Sequence, residues 1–291
     1  MNENYINFMK KILIAIAIFI FSIIKVFSQA DKLDSLLNDL IFNDTVYDYL
    51  SRSVVKYDFI YSGIGFKSNT FYAGRDYGSD IYNTSGYIYY YHNKGIYLGA
   101  SGMMYEGLTP FLNTVALSAG FYKTIDKNKL FTFKISYNRY FYFQTDTSIE
   151  YSFKNNTNLG LSFKKNWFGA RIYTGLSFGK ESRFNVSSVL YSRINVIKLG
   201  KYNRIYTMPE ISAYFGSETI ETLNESQMIN IKDVYGLLNT QFYLPLTISV
   251  GNFEIELAYT INFPVSQDDN VTYPVSSLFS ASVGYLLPIK R

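Results

Sequence analysis

The residues that most often carry enzymatic or metal chemistry are nearly absent from this chain. Its 291 residues include no cysteine and a single histidine, His92. A thiolate nucleophile is therefore excluded, and histidine-dependent catalysis would depend on His92 alone. His92 begins the segment 92–95, whose Asn, Lys and Gly predict a tight turn rather than a catalytic cleft. We expect neither an enzyme nor a bound metal or cofactor.

Charged side chains are few, but many of them recur at every second residue of long segments. They make up 17% of the chain, with a net charge of +4. The basic residues form no long runs, so we do not expect a nucleic-acid partner. The recurring charges share their positions with Ser, Asn, Gly and Tyr, which predicts one polar surface. The candidate residues of this surface are Lys134, Glu150, Lys154, Lys164, Arg171, Arg183, Arg193, Arg204, Glu210, Glu254 and Glu256.

The element that positions these charges is a long β-strand with one apolar and one polar face. In residues 149–163, for example, Leu159 and Leu161 alternate with Asn158 and Gly160. Successive side chains of a strand point to opposite faces, so such a segment separates apolar from polar side chains. Twelve strands are predicted, over residues 55–68, 81–92, 95–106, 111–124, 130–145, 148–164, 167–180, 183–199, 203–217, 233–248, 252–265 and 276–289. The alternation is least clear in the first two.

The connections between these strands differ in length at the two ends. Short turns rich in Asn, Asp and Gly follow every second strand, as in residues 126–129. The longest connections, residues 69–80, 218–232 and 266–275, fall between them. Long strands, an even count and this asymmetry predict an all-β fold, a transmembrane antiparallel up-and-down barrel of about 12 strands with its tight turns in the periplasm. A soluble β-sandwich would need shorter strands and a more charged outer face.

The N-terminal segment predicts export. A basic start, an apolar core and a small-x-small end occur in order at Lys10, Lys11, residues 12–24, Ser28 and Ala30. This pattern is typical of a secretory signal peptide over residues 1–30, with Met9 as a candidate start. The apolar core is short for the alternative, a membrane-anchor helix. We therefore expect a chain that is exported from the cytoplasm of a Gram-negative bacterium.

A short helical segment is predicted between the signal peptide and the barrel. Leu33, Leu36, Leu37 and Leu40 recur at helical spacing within residues 31–52. The simplest interpretation is a periplasmic helix that covers the end of the barrel, which then occupies residues 53–291. A plug in the lumen and a partner-binding helix are the alternatives.

Two further sites stand out against the expected barrel. Alternation places Arg139 on the apolar face near the outer membrane boundary, which predicts a contact with phosphate of the outer-leaflet glycolipid. The alternative is that a bulge turns Arg139 inward. The first outer loop carries Arg75 and Asp76, which we consider a candidate functional pair, although Gly74 and Gly78 would also suit an ordinary turn.

Three stretches of the sequence resemble those of a known protein family. They are Leu33–Leu40, Ser68–Asp76 and Lys127–Leu130, and the Ser28-Gln29 end of the signal segment is similar as well. The family consists of uncharacterised outer-membrane barrel proteins of Bacteroidetes-type bacteria. The resemblance implies an outer-membrane barrel and implies no catalytic residue.

Two functions remain open on the sequence alone. The polar surface carries seven basic and four acidic candidates, so an open lumen would form a narrow passive pore that favours small polar or anionic solutes. If the charges pair and fill the lumen, the chain would instead be a structural or accessory subunit of a larger envelope complex. The expected partners are outer-membrane lipid and glycolipid, with other envelope proteins in the second case.

Overall fold

The computed structural model describes residues 58–71, 73–75, 81–106, 112–143, 152–199, 203–223, 229–268 and 271–289. The predicted signal peptide and the predicted helical segment lie outside these residues. Within the described ranges, no helix has the length and apolar character needed to cross a membrane.

The regular structure of the described ranges is antiparallel β-sheet. Its strands are β1 (Asp58–Lys67), β2 (Asn83–Tyr91), β3 (Ile96–Tyr105), β4 (Thr114–Thr124), β5 (Phe131–Tyr142), β6 (Phe153–Lys165), β7 (Phe168–Gly179), β8 (Ser182–Ser192), β9 (Ile194–Lys198), β10 (Arg204–Thr207), β11 (Glu210–Leu223), β12 (Ile229–Val250), β13 (Phe253–Pro264) and β14 (Ser276–Ile289). The first two strands, where alternation is least clear, both form.

The sheet closes on itself, because β1 pairs with β14 as well as with β2. At two places around the wall, one long strand is interrupted and is therefore counted as two shorter strands in succession. Arg193 separates β8 from β9, and Met208-Pro209 separates β10 from β11. Proline has no N–H to donate to a strand ladder, so an interruption there is expected. The fourteen strands thus occupy twelve positions, and the predicted closed barrel of 12 antiparallel strands is confirmed.

Apolar side chains cover the outside of the barrel, and polar or tyrosine side chains line the inside. Ile64 and Leu98 are 57% and 55% exposed, whereas the neighbouring Tyr97 is 0% exposed. A water-soluble barrel has the opposite arrangement. An apolar outer surface with closed hydrogen bonding suits hydrocarbon, so the fold is that of an outer-membrane β-barrel.

Tight turns gather at one end of the barrel, which we call the turn end; the other is the loop end. In the turn between β4 and β5, both carboxylate oxygens of Asp126 accept backbone N–H bonds, from Phe131 at 2.7 Å and Leu130 at 3.0 Å. These bonds, the one from Phe131 foremost, hold the pKa of Asp126 below its usual value. Lys129 and Asn166 adopt left-handed φ angles of 57° and 56° in two of these turns.

The largest difference from the sequence prediction at the loop end is the β11–β12 hairpin. Residues 218–232 were expected to be a long loop, but β11 continues to Leu223 and β12 begins at Ile229. Both strands extend because they remain paired with each other, Leu223 opposite Ile229. The hairpin is therefore longer, and its loop shorter, than alternation indicated.

Inward tyrosine rings lie over glycines of the adjacent strand. Tyr89 pairs with Gly99, and Tyr97 pairs with Gly120. A Cβ added at either glycine would collide with the facing ring. Glycine therefore allows each ring to approach the wall closely. Tyr89, Tyr91 and Tyr97 also contact one another, with ring centroids 5.4 to 6.4 Å apart.

This packing predicts that Gly99→Ala destabilises the barrel. The new methyl group must displace the Tyr89 ring, and overpacking of this kind costs about 1–3 kcal/mol. Unfolding by urea in lipid vesicles, followed by the fluorescence of the single tryptophan, Trp167, measures the change. Gly86→Ala is the control, since the nearest atom to its added Cβ is the Gly63 carbonyl oxygen at 3.9 Å. Equal midpoints for the two variants would contradict the prediction.

Candidate functional site: the lumen and its outer mouth

Among the described residues, the charges at the turn end of the lumen lie on two walls. The basic side chains Lys134, Lys164, Arg171, Arg193 and Arg204 come from consecutive wall positions, β5 to β10. The acidic side chains Glu254 and Glu256 come from β13, which is six of twelve positions away from β5. The strand order therefore places the acidic side chains opposite Lys134 of β5 and two wall positions from Arg204 of β10.

Arg171 is held in the basic wall by a carboxylate and a tyrosine. Its Nη2 lies 3.1 Å from Oε1 of Glu210, and the two side chains are 7% and 16% exposed. Its guanidinium also lies 4.2 Å from the ring centroid of Tyr191. Tyr191 in turn packs against Gly169, where an added Cβ would meet the ring. Arg171 is thus fixed in position while its charge is partly balanced.

A second tyrosine lies between two arginines. The Tyr206 ring is 2% exposed, with the guanidinium of Arg193 at 4.1 Å from its centroid and that of Arg204 at 5.1 Å. Lys134 similarly lies 5.2 Å from the ring of Tyr97. Aromatic faces attract cations most strongly where water is scarce, so these rings stabilise the basic wall.

The acidic wall is organised by hydroxyl groups. Tyr243 donates a hydrogen bond to Oε1 of Glu256 at 2.7 Å, and Thr247 donates to Oε2 at 3.2 Å. Glu254 is 8% exposed. Alternation identified both glutamates, but it gave no signal for the hydroxyl donors on β12.

The middle of the lumen is lined by amide and hydroxyl side chains in a hydrogen-bonded chain. Asn156 donates to Ser177 at 3.0 Å and accepts from Asn138 at 3.4 Å. Asn158 also donates to Asn156 and lies 3.5 Å from Ser136. Asn138 is 0% exposed and Asn156 1%. Space for water beside these residues is therefore small.

At the loop end, residues 73–75 lie against the wall and are held there by Arg75. Its guanidinium makes two bonds to the carboxylate of Glu218 on β11, at 2.8 and 2.9 Å, and a third to the carbonyl of Val265 at 2.6 Å. The Tyr273 ring lies 4.3 Å from the guanidinium. We call these residues the Arg75 latch. Sequence reasoning singled out Arg75, but not its partner 143 residues away.

The latch places Gly74 directly against the inner wall. The Gly74 carbonyl accepts a bond from Ser276 at 2.6 Å, and its Cα faces Asn239 so closely that a Cβ there would collide with the amide. Its φ of 75° also favours glycine. The loop thus crosses from β1 to the β11–β14 side of the mouth. Partial burial raises the pKa of the Tyr273 phenol in this network, while Arg75 opposes the shift.

Other predicted site residues lie elsewhere. Glu150 and Asp76 are outside the described residues. Arg183 lies near the loop end, 5.1 Å from the ring of Phe153. Lys154, assigned by alternation to the polar face, is exposed at a bulge where the register of β6 shifts between Phe153 and Asn155. The extra residue of a bulge breaks strict alternation, which explains the difference.

The lone histidine and the lipid-facing arginine have clear positions. His92 ends the β2 side of a tight turn, where its Nδ1 accepts the backbone N–H of Lys94 at 3.1 Å. In the described ranges, no three His, Asp or Glu side chains are grouped to hold a metal ion.

Arg139 lies on the outer face, paired with Leu117, which is 49% exposed.

No protein-family model and no curated protein matches the chain. Among solved structures, it is similar to the KdgM porin at 9% identity and a TM-score of 0.46, over 78% of this chain and 98% of that one. The chain is also similar to the NanC porin, at 7% identity and a TM-score of 0.45, over 78% of this chain and 98% of that one. A third similar structure is LpxR from Salmonella typhimurium, at 9% identity and a TM-score of 0.40, over 77% of this chain and 99% of that one. At such identities the likeness concerns the barrel fold alone.

The Arg75 latch predicts that Arg75→Gln opens the mouth of the barrel. With an otherwise cysteine-free chain, Asn239→Cys places one thiol beneath Gly74, and its rate of labelling reports how often the loop leaves the wall. Losing two charge-assisted bonds should raise that rate about tenfold or more, since each ~1.4 kcal/mol changes an equilibrium tenfold. Lys180→Gln, in the β7–β8 turn at the same end, is the control. Labelling as slow as in the Asn239→Cys parent would contradict the latch.

Proposed function

We propose that the barrel is a narrow passage for small polar solutes, with a preference for anions, across the outer membrane of a Gram-negative bacterium. The observation that carries the proposal is the charge of the described lumen. Among the inward side chains that alternation singled out and the structure describes, six are basic, Lys134, Lys164, Arg171, Arg183, Arg193 and Arg204, and three are acidic, Glu210, Glu254 and Glu256. Basic linings favour anion passage. The turn end would face the periplasm and the loop end the exterior.

The size of the solute follows from the middle of the lumen. The buried amides of Asn138 and Asn156 leave little room beside them, so a large solute would have to displace wall side chains. Amide and hydroxyl groups can replace the water that a small polar solute loses there. The Arg75 latch adds a second constriction at the loop end.

The same burial supports a second candidate function. If the chain is a structural or accessory subunit with a filled lumen, inward side chains should be packed as tightly as those of a protein core, and several are. Asn138, Ser136 and Thr247 are each at most 1% exposed. Barrels of twelve strands lie between filled small barrels and open porins, so strand number does not separate the two functions.

Conductance separates them. The refolded chain in a planar bilayer should give steady open steps, with a reversal potential in a salt gradient that indicates anion preference. A chain that is shown to be folded by its heat-resistant migration, yet conducts no ions, would overturn the passage and favour the filled barrel.

Two adjacent lysines provide a sharp test of the basic wall. Lys164 points inward, paired with the buried Gly169, while Lys165 points outward, paired with the exposed Phe168. A unit charge about 10 Å from an ion in water is worth ~0.4 kcal/mol, with opposite sign for an anion and a cation, so Lys164→Gln should lower the anion-to-cation permeability ratio about fourfold. Lys165→Gln should leave it unchanged. Equal ratios in both variants would contradict a role for the basic wall.

A further inference from the structure

An arginine stands among lipid-facing side chains near the loop end of β5. Arg139 shares the outer face with Tyr137 and Phe141, each 42% exposed, and with Leu117 of the adjacent strand. Its guanidinium carbon lies 5.9 Å from the Phe141 ring centroid. An ionised side chain on this face has lost much of its water and requires an anionic or strongly polar partner.

The guanidinium is held in place by a neighbouring amide. Arg139 Nη1 donates to Oδ1 of Asn155 at 2.7 Å, and the hydroxyl of Tyr137 donates to the same oxygen at 2.8 Å. The amide nitrogen of Asn155 donates to the carbonyl of Phe178 at 3.2 Å, which fixes the amide itself. A guanidinium has five N–H donors, so this contact leaves most of them available to a further acceptor.

The bulge in β6 adds a second cation to the same place. Phe153 faces inward, since the lumen-side Arg183 lies over its ring, and Asn156 also faces inward at 1% exposed. Two residues, Lys154 and Asn155, therefore share the outer side between them. Lys154 is exposed and lies next to Asn155, one residue closer to the loop end. We call Arg139, Lys154, Asn155 and Tyr137 the outer basic cluster.

The depth of this cluster matches a lipid headgroup. Arg139 lies eight residues beyond Phe131, the first residue of β5 at the turn end. Eight residues of a tilted strand rise by about 20 Å, and the apolar band of such barrels is about 25 Å tall. With the loop end facing the exterior, as proposed above, the cluster lies close to the outer boundary of the hydrocarbon.

We propose that the outer basic cluster binds a phosphate group of the phosphorylated glycolipid of the outer leaflet. The planar guanidinium suits two phosphate oxygens, Lys154 supplies a second positive charge, and the Tyr137 and Phe141 rings lie beside the acyl chains. The site is independent of whether the lumen conducts.

Binding of diphosphoryl lipid A to the refolded chain, followed by native mass spectrometry, tests this site. Arg139→Gln should weaken the apparent Kd about tenfold, as the loss of one charge-assisted contact implies, and Arg139→Gln with Lys154→Gln should weaken it further. Lys165→Gln is the matched control, since it removes an outward positive charge at the turn end, and should bind as the unmodified chain does. Because Arg139 faces lipid, heat-resistant migration of the variants should be retained.

Three further probes assign the ligand. Dephosphorylated lipid A should bind the unmodified chain as weakly as diphosphoryl lipid A binds the variant that combines Arg139→Gln with Lys154→Gln. An unchanged Kd in Arg139→Gln, or equal binding of the dephosphorylated lipid, would overturn the site. Equal binding of phosphatidylglycerol would assign an ordinary phospholipid instead, and competition by inorganic phosphate at matched concentration would assign a soluble anion; either result overturns the glycolipid assignment.

Discussion

The hydrogen bonding of the backbone in hydrocarbon governs the rest of this molecule. A strand inside a membrane cannot leave its N–H and C=O groups unpaired, and the pairing of β1 with β14 removes the open edges that a flat sheet would have. Once the sheet is closed, every strand must present one face to lipid and one to the lumen. The apolar exterior and the polar interior both follow from that closure.

The regular part of this architecture could be predicted from the sequence because alternation is a local property. Strands such as β7 and β13 carry it in adjacent residues, and turns such as that at Asp126 carry their own signals. Bulges are different, since one extra residue changes the face of its neighbours without any composition signal. The bulge at Lys154 therefore escaped prediction. The pairing of Arg75 with Glu218 could not be predicted either, because only the order of strands around the wall brings these two residues together.

The lumen is built as much from ring packing as from charge. Tyrosine rings lie over glycines along β2 to β4 and again at Tyr191, and two of these rings also lie near the cations Lys134 and Arg171. One residue type therefore narrows the lumen and also stabilises cations where water is scarce. Replacing these tyrosines with smaller residues would widen the barrel and weaken its basic wall together, so lumen width and lumen charge are coupled in this chain.

The length of β12 has a consequence for the outer surface. Its 22 residues extend for about 70 Å along the strand, and even when tilted this is about twice the height of an apolar band of about 25 Å. The β11–β12 hairpin therefore rises well beyond the hydrocarbon as a paired ribbon. With the loop end outward, as proposed, this ribbon would be the part of the described chain that extends farthest from the membrane.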